Sequence, residues 1–210
     1  GQDLSKAVQK IQTALHNDDG KGSVPPYELG SGWFGSLINE DISRLDDQEQ
    51  SHWHALFHQL SKASAGKPTK KFIATVNPLI DEIGVKSFKT LSNRWLIAAA
   101  KRDVSSTVET HTYKESTYNY TVHEYIEAHS HNLLKGLLWS MSRFHDQESL
   151  KSIALLVEKC FQKIPEQGPA AAGVGNAGIY TLAQSKGLGG VSHLSRLKLR
   201  IRQNNTQKLI

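Results

Sequence analysis

Apolar residues recur at three- and four-residue intervals along most of this chain, and that spacing commits it to amphipathic helices. Leu4, Ala7, Val8, Ile11 and Leu15 make the first such stripe, which ends in Asn17-Asp18-Asp19-Gly20. A Gly/Pro-rich connector follows over 20–35, and a short helix is expected over 37–45 with Ser36 as its N-cap. Asp46 with Glu49 three residues on has the form of a capping box, opening a helix with Trp53, Leu56, Phe57 and Leu60 inward. Thr69 is placed to cap the next, whose stripe is Phe72, Ile73, Val76, Leu79, Ile80 and Ile83; Pro78 should kink it and Gly84 end it. Phe88, Leu91, Trp95 and Leu96 mark a further helix.

The pattern fails between 103 and 122, where Ser, Thr and Tyr dominate. We read this stretch as a long polar connector between two helical lobes, 1–102 and 123–210; slight alternation around Tyr113, Tyr118 and Tyr120 leaves a short hairpin as the other reading. In the second lobe Leu133, Leu134, Leu137, Leu138 and Met141 form one helix. Asp146 caps the next, with Leu150, Ile153, Ala154, Val157, Cys160, Phe161 and Ile164 inward, and Pro165 stops it. Two more helices are expected over 174–185 and 191–203. Two successive helix pairs of about forty residues each have the period of HEAT-like units, so the expected class is all-α, an α-solenoid of helical hairpins. The start at Gly1 and the end on Leu209-Ile210, read as an unburied apolar pair, are expected of an excised piece truncated at its C-terminal end.

Specific blocks of the second lobe resemble a known family. They are Leu-Lys-Gly-Leu-Leu-Trp (134–139), Glu-Lys-Cys-Phe-Gln-Lys-Ile-Pro (158–165), Val-Gly-Asn-Ala-Gly-Ile-Tyr-Thr-Leu (174–182) and Leu-Ser-Arg-Leu-Lys-Leu-Arg-Ile-Arg (194–202). Upstream, Pro-Thr-Lys-Lys-Phe (68–72) and Pro-Leu-Ile-Asp-Glu-Ile-Gly (78–84) are similar to a preceding stretch of the same family. Together they resemble the HEAT-like region of the very large bacterial proteins that include the so-called molybdate metabolism regulator, some of which carry a WGR domain. The resemblance implies a helical-repeat segment of a larger protein and carries over no catalytic residue.

Charge is distributed unevenly within a net of +5. From Lys186 onward there are no acidic residues, against Lys186, Arg196, Lys198, Arg200, Arg202 and Lys208. Arg196 and Arg200, and likewise Lys198 and Arg202, stand one turn apart, flanking Leu194, Leu197 and Ile201. Such cations suit phosphates, an acidic protein surface or another part of the same chain. Interleaved aromatics for stacking on single strands are missing.

Ten histidines raise the question of a metal. His54 and His58 are one turn apart, and His129 and His131 cluster farther on, but His-Glu-x-x-His is absent and nothing in the sequence brings the clusters together. They are read first as solvated or capping residues. Gly30-Ser31-Gly32-Trp33-Phe34-Gly35 fits G-x-G-x-x-G, but Pro25-Pro26 precedes it where a buried strand is required, so it is read as a turn. Gly173-Val174-Gly175 is read as a close-packing helix start. Cys160 is the one cysteine and lies on an apolar face, which argues for core rather than catalysis and for a reducing, cytoplasmic setting. No apolar run approaches the roughly 18 residues of a membrane span. The expectation is a non-catalytic scaffold segment without cofactor, binding protein or its own chain. A nucleic-acid-binding module using the last helix is the alternative, and a histidine metalloenzyme a distant third.

Overall fold

The computed structural model describes residues 25–114 and 116–210; the first apolar stripe and Asp18-Asp19 lie outside them. Helices α1 (Trp33–Ile42), α2 (Asp47–Leu60), α3 (Lys70–Ile83) and α4 (Val85–Lys101) come first. A hairpin of β1 (Ser105–Tyr113) and β2 (Ser116–Glu124) follows. Then come α5 (Ser130–Ser140) with a 3-10 turn at Met141–Arg143, α6 (Gln147–Cys160), a minimal pair β3 (Lys163–Ile164) and β4 (Gly168–Pro169), α7 (Ala172–Ala183), α8 (Gly189–Arg200) and the one-turn α9 (Asn204–Gln207).

Side-chain caps set the starts of three helices. Asp46 accepts the Glu49 N–H at 2.8 Å while the Glu49 side chain accepts the Asp46 N–H, completing the capping box of α2. Thr69 and Asp146 cap α3 and α6 through the N–H groups of Phe72 and Ser149. Helix α3 runs through Pro78. Gly84, at φ +89°, ends α3 and starts α4 in one residue, a conformation that a side chain rarely adopts.

Packing forms two rows. Helices α3, α5 and α7 touch in succession, as do α4, α6 and α8; α2 lies against α3 and α5, and α1 against α4. A single apolar core includes residues from both sides of the 105–124 hairpin. Its centre is aromatic: Trp53 meets Trp95 edge-on at 5.0 Å between ring centroids and stacks on Phe88 at 5.9 Å. Cys160 is fully buried in the same core, and burial pushes its thiol far above the ordinary range.

Three expectations need correction. The chain is mostly helical rather than all-α, because 103–122 is largely an antiparallel hairpin in register from Ser105 opposite Glu124 to Tyr113 opposite Ser116. Thr, Val and Tyr suit extended backbone, and no face of this hairpin is buried, so the alternation of a half-buried strand never arises. The first described helix begins at Trp33, and Ser36 sits inside it, donating its N–H to Gly32. At the C-terminus the apolar pair is split: Leu209 is exposed, while Ile210 is half-buried and packs on the core.

Candidate interaction surfaces

The G-x-G-x-x-G stretch is the N-terminal end of α1, and an anion does sit there: the chain's own Glu127. Its buried carboxylate accepts the Gly35 N–H at 3.0 Å and the Ser130 hydroxyl at 3.2 Å. A Cβ on Gly32 would run into that carboxyl group, one on Gly35 into the Leu29 carbonyl, and one on Gly30 into the His129 ring. Gly30 and Gly32 are thus required by close approach of segment 127–129, and Gly35 by the backbone of the segment that enters α1. Gly175 and Gly178 likewise face Phe161 and Val157, letting α7 lie close on α6.

Three of the four metal-candidate histidines converge on the extended segment 25–29, each through a backbone group. His54 Nδ1 accepts the Tyr27 N–H at 3.0 Å. His58 Nε2 donates to the Pro25 carbonyl at 2.9 Å, and His129 Nε2 to Leu29 at 3.3 Å. His131 Nε2 donates to Ile126 at 3.1 Å. Among the described residues no group of three or more His, Cys, Asp or Glu is arranged to hold a metal ion. The rings act as clamps that hold the entry to α1 against α2 and the start of α5.

One clamp depends on protonation. A donor histidine keeps its bond when charged, but His54 accepts with Nδ1 and must be neutral. Burial first, and the neighbouring His58 second, hold its pKa below the ordinary 6.5. The unfolded chain therefore takes up this proton more readily than the folded one. The stabilisation is complete above about 6.5 and is lost as pH falls from there through the lower folded value. A melting-temperature series against pH should decline below that point, and His54→Gln, which accepts without titrating, should shallow the decline. His193, depressed by burial and Arg196, contributes the same sign and stays in the variant. An unchanged slope in His54→Gln would remove His54 from the acid response.

The four basic candidates do not form one surface. Arg200 donates to both oxygens of Glu158 at 2.8 Å, so its charge is matched. Arg196, Lys198 and Arg202 are exposed and have no carboxylate partner among the described residues. Arg202 lies beyond α8 and, with Arg200, lines a cleft of about 980 Å³. The α4 end, the second half of α6, the β3–β4 pair and residues 200–203 form its walls.

Helix α8 is apolar on two opposite sides. Its buried face carries Gly190, half-buried Leu194, and Leu197, packed on α6 and α7. Opposite, at helical spacing, Leu188, Val191 and Leu199 are 80%, 55% and 87% exposed. The stripe follows helical positions 188, 191 and 199, with Ser195 between the last two. The hairpin is the other feature without cover: Val108, Tyr113, Tyr118 and Tyr120 stand out from it into solvent. Among the described residues no helix is long and apolar enough to cross a membrane. Comparison with protein-family models, with curated proteins and with solved structures finds no match for this chain.

Proposed function

We propose that this chain is a non-catalytic scaffold segment of a large bacterial cytoplasmic protein, an α-solenoid of HEAT-like pairs like those of the molybdate-regulator relatives it resembles. It engages a partner protein, or another part of its own chain, through the outer face of α8. The two-row packing supports the solenoid reading. Along each row successive helices touch, as stacked repeats require, and α7 also lies on α6 and α8. The observation that carries the interaction is the uncovered stripe at Leu188, Val191 and Leu199, on the last helix of its row and opposite that helix's buried face. A helix apolar on both sides is suited to lie between two layers.

Photo-crosslinking in the producing cell tests this reading. Benzoylphenylalanine replacing Leu199 should give a discrete adduct, inter- or intramolecular, that the same group at exposed Lys71 does not. Equal, diffuse labelling from both positions would overturn it.

The unmatched Arg196 and Lys198 favour a second reading, contact with nucleic acid. Anisotropy of labelled DNA and RNA should then rise at low salt, fall with added salt, and weaken in Arg196→Ala/Lys198→Ala. No response at low salt leaves these cations facing protein.

A further inference from the structure

We propose that the cleft between α4, α6, β3–β4 and residues 200–203 binds a small aliphatic carboxylate, its chain on the apolar floor and its head among the cations of the rim. At about 980 Å³ the cleft is at the upper end of the size of small-molecule sites. It is a different surface from the outer face of α8, and this inference does not depend on that reading.

The floor is apolar. Leu155 is 40% exposed on α6, and Phe161, Ile201, Ala100 and Pro169 complete the lining. Phe161 and Ile201 are buried, so the floor presents no open aromatic ring on which a nucleobase would stack. An exposed leucine beside such a lining leaves apolar surface for an alkyl chain to cover.

The rim is cationic. Lys101, Lys159, Lys163, Arg200 and Arg202 face a single acid, Glu158: five positive against one negative leaves +4. Lys101, Lys159 and Arg200 stand in or just after a last helical turn, where a cation complements the macrodipole. Lys163 and Arg202 lie past the helix ends: one is in β3, the other in the extended stretch after α8. Neither has a carboxylate partner among the described residues, so both are available to a head group. A carboxylate head can accept from both, and a rim with this excess of positive charge favours an anionic head over a cationic one. Glu158 itself is held by Arg200 and leaves the other cations unmatched.

The probe is decanoate, titrated below its micellar range and followed by methyl NMR. Saturable shifts are expected at Leu155 and Ile201. Decyltrimethylammonium, with the same tail and the opposite charge, should bind at least about tenfold more weakly, and acetate should not bind detectably. Lys163→Gln/Arg202→Gln should weaken decanoate about tenfold with the melting temperature unchanged, both side chains being exposed. Leu155→Asp gives a second arm that removes the floor and retains the rim. Equal affinity for the two head groups, shifts confined to other surfaces, or undiminished binding in either variant would overturn the proposal.

Discussion

Trp95→Ala is expected to cost about 3–5 kcal/mol, the range for emptying a buried tryptophan site. For a chain of this size that lowers the melting temperature by about 6–20 °C. Trp95 is fully buried, packs edge-on against Trp53 and lies 6.1 Å from Phe57, so its loss opens a void where α2 and α4 meet. It also carries a polar tie. Its Nε1 donates to Asp41 Oδ2 at 2.8 Å, and Asp41, buried on α1, receives Arg94 at 3.0 Å.

Two milder variants separate packing from the polar link. Trp95→Phe keeps an aromatic ring but deprives the Asp41 carboxylate of one donor, a loss of about 1–3 kcal/mol. Asp41→Asn keeps an acceptor for Trp95 and removes the charge facing Arg94, which is 51% exposed. Solvent screening holds that loss to about 1 kcal/mol or less. Urea unfolding should therefore rank the alanine variant worst, phenylalanine next and asparagine mildest. If phenylalanine were as damaging as alanine, the tie to Asp41 rather than the aromatic cluster would be what holds α1 and α2 on α4.

The caps at Asp46, Thr69 and Asp146 were legible because both partners of each bond lie within three residues. The buried stripes of α2, α5 and α6 were legible for a related reason: apolar residues recur at helical spacing along each. What escaped depends on distant residues. The start of α1 was hidden by three glycines that read as a turn, whereas the need for Gly30 and Gly32 comes from His129 and Glu127, far along the chain. The histidine spacing was visible, but its partners are backbone groups of 25–29, and a backbone group has no letter in a sequence. Arg200 looked like one of four equivalent cations until Glu158, 42 positions earlier, came beside it. The cleft has no local signature, since four separate elements build it. Its floor residue Leu155 simply breaks the polar face of α6.

Gly136→Ala should destabilise the fold even though alanine is the better helix former by about 0.8–1.0 kcal/mol. Gly136 lies within α5, where that gain would ordinarily decide the outcome. But its added Cβ would strike the Leu60 carbonyl oxygen and lie 2.7 Å from Leu60 Cα and 2.9 Å from its carbonyl carbon. These are backbone atoms at the end of α2, unable to turn aside as a side chain can. The Leu60 carbonyl also accepts the Ala63 N–H at 3.1 Å, so displacing it would disturb the turn that leaves the helix. Forced overpacking costs about 1–3 kcal/mol, more than the propensity gain through most of that range. Gly173→Ala is the matched control: it too is helical, in the first turn of α7, and its Cβ would meet nothing within 4 Å. There the propensity term stands alone, and a gain of up to about 1 kcal/mol is expected. The same chemical change should thus carry opposite signs at the two sites. Stabilisation at both would mean that α2 and α5 separate at Leu60 without cost, and that the close approach seen there is not what selects glycine at 136.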